Sequence, residues 1–197
     1  TTSIEEILRV VDELNRDPEV HGILVQSPVP QGIDEAAISS SILPSKDVDG
    51  FHPQNLGRLV QGDLGGLLPC TPSGVMRILE DSGYEISGKR ALVLGRSRIV
   101  GVPMALMLAQ KGVDATVTIA HSRSEGVETL CKESDIIVAA AGVPHIVKGS
   151  WVKPGAFVVD VGISRLEEGG LAGDVSPEVS EIAGWMTPVP GGVGPMT

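Results

Sequence analysis

The stretch ALVLGRSRIVGVPMALMLAQKG, residues 91–112, places the tightest constraint on how this chain can fold. It begins with four apolar residues in a row, breaks at Gly95, crosses a short polar loop and continues as a helix expected from about Val100 to Lys111, with Gly112 as its stop. A strand without polar alternation is buried on both faces, which happens in parallel sheets covered by helices on each side. DATVTIAH, DIIVAAAG and AFVVDVG read as further strands, with GVETLCKES as a short helix between them. Strands alternating with helices in this way define an α/β protein built on a Rossmann-like parallel sheet.

The first third has a different texture. Ser3 and Glu6 are spaced as a capping box, and Ile4, Ile7, Leu8, Val11 and Leu14 form one apolar stripe of a helix. VHGILVQSPVP predicts a short strand from about Gly22 to Gln26, ended by Pro28, and EAAISSSIL predicts a short helix. The stretch from Pro44 to Pro69 is rich in turn formers and reads as loop. Thr71 then fits an N-cap with Pro72 at the first helical position, in a helix running to about Ser82 with Gly83 as its stop. The expected division is a smaller α/β substrate lobe at 1–70, a nucleotide-binding domain at 71–186, and a loop at 187–197 that returns to the substrate cleft.

At 197 residues and 42% hydrophobic content the chain can bury one full core and part of a second. Its net charge of -10 argues against a nucleic-acid partner, which would call for a basic face. Anionic small molecules are still allowed, because they respond to local groups. No apolar run approaches the ~18 residues of a membrane span. Cys70 and Cys131 have no paired-motif spacing and read as reduced thiols, and the four histidines are too scattered for a metal site. The chain opens directly as a helix and stops just after a Pro/Gly-rich loop, so it is expected to be part of a longer one.

The turn after Leu94 resembles a dinucleotide-binding loop in which Gly95 and Gly101 fill the first and third glycine positions. Ser97 replaces the middle glycine and offers a hydroxyl to a phosphate oxygen, while the amides of the following helix would face the pyrophosphate. An NAD site carries an acid about 20 residues on, for the ribose 2′-hydroxyl. Here the second strand ends in His121, Ser122 and Arg123, and Arg96 projects from the loop, so NADP is favoured over NAD. The alternative is that Arg96 and Arg123 are solvated surface charges.

Three other segments carry candidate chemistry. Gln26 ends a predicted strand, where open α/β sheets gather ligands; taken alone it reads as an amide bonded to backbone. Asp47 and Asp49 precede Gly50, which fits an Asx-type turn or a carboxylate aimed at an N–H-rich heterocycle. TPVPGGVGPMT combines stiff prolines with glycines that let backbone approach a ligand.

GILVQSPVPQG, KDVDGFHPQNLGRL, PCTPSG, GRSRIVGVP, VVDVGI, GDV and TPVPGGVGPMT occur in the order of one family across essentially the whole chain. On these segments the sequence resembles the bifunctional methylenetetrahydrofolate dehydrogenase/cyclohydrolase family. The resemblance implies NADP-dependent oxidation of a reduced folate's methylene bridge, by hydride transfer to the nicotinamide, and hydrolysis of the methenyl product. It assigns Gln26 and Asp49 to catalysis and the substrate pocket, with Pro190, Gly191 and Gly192 also against substrate. It assigns Gly95, Arg96, Ser97, Ser122 and Ile163 to the cofactor, and no residue to a metal. It further implies a homodimer in the cytoplasm, with an organellar address left open.

Ser27 and Val29 stand where the family commonly has leucines, and Ser73 stands where it has a basic residue. The family's Tyr-x-x-x-Lys lysine has no counterpart: the only tyrosine, Tyr84, is followed by Ser87, Gly88 and Lys89, with no lysine four residues on. A lysine of lowered pKa assists water attack on an iminium-like carbon. These 197 residues alone are therefore expected to lose the hydrolysis and to be impaired in the oxidation. The competing classes are a non-catalytic NADP-binding module and an amino-acid-dehydrogenase-like enzyme; KDVDG and PGGVGPMT speak against the latter.

Overall fold

A computed structural model describes residues 3–167 and 169–197. The chain divides into two compact units, one ending at Cys70 and one beginning at Thr71.

In the first unit, helix α1 (Ile4–Arg16) starts where Ser3 Oγ accepts the Glu6 N–H. Its stripe buries Val11 against Ile23 and Ile42, with Ile7, Leu14, Val20 and Val25 packed around them. Lys46 directs its ammonium at the carbonyls of Leu14, Asn15 and Asp17, placing a cation on the open end of α1. Helix α2 (Glu35–Ser41) is capped by the Asp34 carboxylate. The strand expected over 22–26 contracts to one parallel bridge between Ile23 and Asp47, because no ladder partner extends it among the described residues. The loop-like stretch that follows contains helix α3 (Pro53–Val60), started by the His52 ring accepting the Gln54 N–H and by Pro53 at the first position.

Helix α4 (Cys70–Asp81) begins one residue before the expected cap. Thr71 is therefore inside it, and its hydroxyl meets that of Thr197 at 3.2 Å. The second unit is built on strands β1 (Arg90–Leu94), β2 (Thr116–Ala120), β3 (Ile136–Ala139) and β4 (Phe157–Asp160), with helix α5 (Gly101–Leu108) between β1 and β2 and α6 (Val127–Glu133) between β2 and β3. A short hairpin, β5 (Ser164–Arg165) with β6 (Leu171–Ala172), precedes β7 (Trp185–Met186). The main sheet is wholly parallel in the order β2-β1-β3-β4-β7. This is the doubly wound α/β architecture expected from the apolar strands.

Alternation along the central strands sorts the core. Leu92, Leu94, Ile137, Ala139 and Val158 join Cys131 of α6 and Val179 in one cluster. Val93, Val138 and Val159 alternate with them and are equally inaccessible, as are Leu79, Met104 and Leu108 of the helices. Strand β2 departs from the expected burial on both faces: it lies at the sheet edge, where Thr116, Thr118 and Ile119 are exposed. Helix α5 ends three residues early, because its carboxyl end turns out through Gln110 and Gly112 to feed β2.

Leu92 is fully buried in β1, between β2 and β3. Leu92→Ala should lower the unfolding free energy by about 2–5 kcal/mol in a urea titration. A loss below ~1 kcal/mol would show that this strand is not the centre of the core.

Candidate functional site

Chain direction in the sheet reverses its spatial progress between β1 and β3, since β2 lies on one side of β1 and β3 on the other. Ligands of open α/β sheets gather outside the strand carboxyl ends at such a point. A cleft of about 440 Å³ opens there, lined by Gly95, Arg96 and Ser97 after β1, His121, Ser122 and Ser124 after β2, and Ala140 and Ala141 after β3. Val143, Ile146 and Trp151 give it an apolar wall.

Gly95 makes this geometry possible. Its φ is +121°, and a Cβ on it would lie 2.2 Å from the Ala140 carbonyl oxygen. A Cβ on Gly101 would in turn lie 2.2 Å from the Gly95 carbonyl oxygen, so strand exit and helix start are in close backbone contact.

Ser97 occupies the expected place, but its hydroxyl has a different main duty. Its Oγ accepts the N–H groups of Val100 (3.1 Å) and Gly101 (3.3 Å), and its carbonyl accepts that of Val102. The amides expected to face a pyrophosphate are thus closed by Ser97 itself. A hydroxyl that accepts twice still has one hydrogen to donate, so Ser97 keeps a donor for an outside anion. The loop serine is a helix cap first.

The cationic side is open. Arg96 and Arg123 are exposed, and neither guanidinium makes a hydrogen bond or ion pair among the described residues; the Ser122 hydroxyl is likewise unengaged. The His121 ring accepts the Arg123 N–H through Nδ1, and Ser124 Oγ accepts the His121 N–H, which fixes the turn after β2. No carboxylate is among the cleft-lining residues. Gly95, Arg96, Ser97 and Ser122 are therefore brought together. Ile163 is not among the lining residues; it follows β4, two strands from β1 on the same sheet edge, and is 58% exposed. Pro190 and Gly191 are exposed and Gly192 half-buried in the loop after β7, with a cis Val189–Pro190 bond.

The first unit holds the other two candidates. Exposed Gln26 donates from Nε2 to the Ser27 carbonyl at 3.1 Å, the backbone-bonded alternative. Asp47 is 2% exposed and accepts from the His52 N–H and the Asn55 amide, so it builds the turn. Asp49, half-buried, has no hydrogen-bond partner among the described residues. The Ile23–Asp47 bridge runs parallel, so Gln26 and Asp49 both follow it on the same side.

Sequence reasoning missed the wall residues Val143 and Trp151 and the role of Ser124. No local pattern marks them, since they depend on how distant loops converge. It also passed over the acids of VVDVGI and GDV, although an aspartate closing an all-apolar strand is a readable anomaly.

Burial, and then the charge of Asp47, raises the Asp49 carboxyl above the ordinary carboxylate range. An acid whose pKa rises on folding favours the fold while protonated, and that contribution is lost as pH climbs through the folded value. Asp49→Asn should therefore gain melting temperature relative to wild type between about pH 4 and pH 7. A difference independent of pH would contradict this.

Residues 69–197 match the family model described as tetrahydrofolate dehydrogenase/cyclohydrolase, NAD(P)-binding domain, and residues 1–49 match that family's catalytic domain. The chain is 54% identical over 198 residues to the bifunctional protein FolD of Acetivibrio thermocellus, covering 100% of this chain and 68% of that protein. It is 55% identical to the bifunctional protein FolD of Enterococcus faecalis, again over 100% of this chain and 69% of that one. Among solved structures, the bifunctional FolD of Campylobacter jejuni superposes with a TM-score of 0.96 at 47% identity, covering 100% of this chain and 69% of that one. The Trypanosoma brucei dehydrogenase-cyclohydrolase, solved with NADP cofactor and an inhibitor, gives 0.92 at 43% identity, with coverage of 100% and 69%. With the Gly95 turn, the parallel sheet and these matches together, the chain belongs to the tetrahydrofolate dehydrogenase/cyclohydrolase family.

Proposed function

We propose that the cleft at the carboxyl ends of β1 and β3 holds NADP, and that the chain belongs to an enzyme that oxidises 5,10-methylenetetrahydrofolate and hydrolyses the 5,10-methenyl product to 10-formyltetrahydrofolate. One observation carries the cofactor reading: the Arg96 guanidinium, without a partner among the described residues, and the Ser97 and Ser122 hydroxyls line a cleft with no carboxylate in its lining, and exposed Arg123 stands in the turn beside it, in a chain of net charge -10. A ribose 2′-hydroxyl calls for an acid, and a 2′-phosphate for this set of donors.

Bound NADP supplies a hydride acceptor for the methylene carbon of the folate. The chain's own part is positioning. Gly95 lets the pyrophosphate region approach backbone, Arg96, Ser122 and Ser97 hold the phosphates, and Ile163 borders the nicotinamide end. In the first unit, Asp49 offers an unpaired carboxyl to the N–H groups of a pterin ring, and Gln26 adds an amide that can donate and accept. In the second unit, Pro190, Gly191 and Gly192 offer a proline-stiffened loop whose glycines let backbone approach substrate. Hydride transfer asks the protein for alignment and charge stabilisation more than for an acid or base.

Hydrolysis of the methenyl carbon does need a proton-handling group. Lys46 is the nearest lysine in sequence to Asp49, and its three donors are taken by three carbonyls. Hydrolysis by these 197 residues alone is expected to be lost and oxidation impaired. The fold and family likeness also fit a homodimeric, cytoplasmic enzyme.

Mixing the protein with methylenetetrahydrofolate and NADP and following the absorbance of reduced cofactor tests the reaction. Slow turnover supports it, while tight NADP binding with no turnover supports a cofactor-binding module. Arg96→Ala should weaken NADP by about tenfold to a hundredfold and leave NAD affinity unchanged, as expected for one charge-assisted phosphate contact. Equal loss for both cofactors would refute the 2′-phosphate assignment.

A further inference from the structure

Two aspartates outside the cleft are buried more completely than any other acid among the described residues of the second unit: Asp174 at 0% and Asp160 at 2% exposure. Both hold backbone. Asp174 Oδ2 accepts the N–H groups of Ala141 (2.6 Å) and Gly142 (2.9 Å), the turn that leaves β3. Asp160 Oδ1 accepts from the Asp174 and Gly162 N–H groups at 2.8 and 3.2 Å, and its Oδ2 from Val175 at 2.9 Å. The Asp160 N–H donates to Thr187 Oγ1 at 2.8 Å, where the Pro188–Gly192 loop begins.

Burying two acids side by side is costly, and the backbone N–H groups that need acceptors here offset part of that cost. Burial, partly offset by the amides of Val175 and Asp174, raises the Asp160 carboxyl above the ordinary carboxylate range. A neutral asparagine at 160 would turn its NH₂ toward a backbone N–H and leave it orphaned. Packing is equally tight: a Cβ on Gly162 would lie 2.1 Å from Asp174 Oδ1, which has no hydrogen-bond partner.

We infer that Asp174 is a positioning residue of the cofactor cleft, holding the Ala141–Gly142 turn in place, and that Asp160 couples this turn to the loop from Thr187. Ala141 lines the cleft beside Ala140, whose carbonyl faces Gly95. The chain of contacts therefore runs from Thr187 through Asp160 and Asp174 to the backbone against which the nucleotide would lie. Neither carboxylate lines that cleft. The positioning role rests on the NADP reading above; the clamp itself does not.

Two measurements test it. In the wild-type chain without cofactor, the Ala141 and Gly142 amides should exchange hydrogen at least about tenfold more slowly than that of Val143, whose N–H has no partner among the described residues. Equal exchange overturns the clamp, whatever the cofactor. NADP affinity is then titrated for Asp174→Ala, Asp174→Asn and Val179→Ala, with melting temperatures alongside. Asp174→Ala should weaken NADP by about tenfold or more, and Asp174→Asn, which keeps one acceptor oxygen, by less than about threefold. Val179→Ala, a core cavity at a residue that neither lines the cleft nor bonds either aspartate, should lower melting temperature with affinity unchanged. NADP affinity unaffected in a folded Asp174→Ala, or reduced as much in Val179→Ala, overturns the positioning role. Should Asp174→Ala fail to fold, Asp174→Asn decides: a loss equal to an unfolded-like absence of binding, in a chain that melts normally, contradicts the retained-acceptor argument. A wild type indifferent to NADP removes the cofactor reading and the positioning role together, while the exchange result still stands for the clamp.

Discussion

The second unit depends on the close passage of two backbones, where the exit from β1 runs against the exit from β3 at Gly95 and Ala140. Only a residue without a Cβ, able to hold φ at +121°, fits there. That contact leaves the mouth between the strands open to a nucleotide and aims the next residues, Arg96 and Ser97, into it. Gly101 repeats the device one turn later by letting α5 sit on the Gly95 carbonyl. The cleft is a consequence of backbone proximity, and the side chains around it set its chemistry.

Those side chains divide by task. Ser97 and Ser124 satisfy backbone donors and fix loops. Arg96, Arg123 and Ser122 have no side-chain partners among the described residues, in a chain with ten more acids than bases. Arg9, Arg58 and Arg90, by contrast, engage nearby carboxylates. Arginines left unpaired beside a cleft are consistent with an anion supplied from outside. Beneath this surface, Asp160 and Asp174 gather four loops of the carboxyl edge through backbone amides.

Much of this was legible in the residues. An apolar strand broken at Gly95, a helix stopped at Gly112 and further apolar strands after it revealed the parallel sheet, and the missing acid after β2 pointed to a phosphorylated ribose. What escaped was non-local. Gly22–Gln26 has the composition of a strand, yet a strand exists only with a partner, and pairing is confined to Ile23 and Asp47. Pro53 and Gly57 made α3 look like loop, although proline at a first helical position favours a helix. Ser97 was read for its donor capacity, and its acceptor role appeared only once Val100 and Gly101 were placed above it.

The central claim is that this cleft discriminates for a phosphate on the 2′ position of an adenosine ribose. Calorimetric titration with 2′,5′-ADP and with 5′-AMP tests it without folate, nicotinamide or turnover. The diphosphate should bind at least about tenfold more tightly, with the gap narrowing as salt is added, since exposed guanidinium–phosphate attraction is screened. Equal affinity for the two nucleotides at low salt would contradict the account.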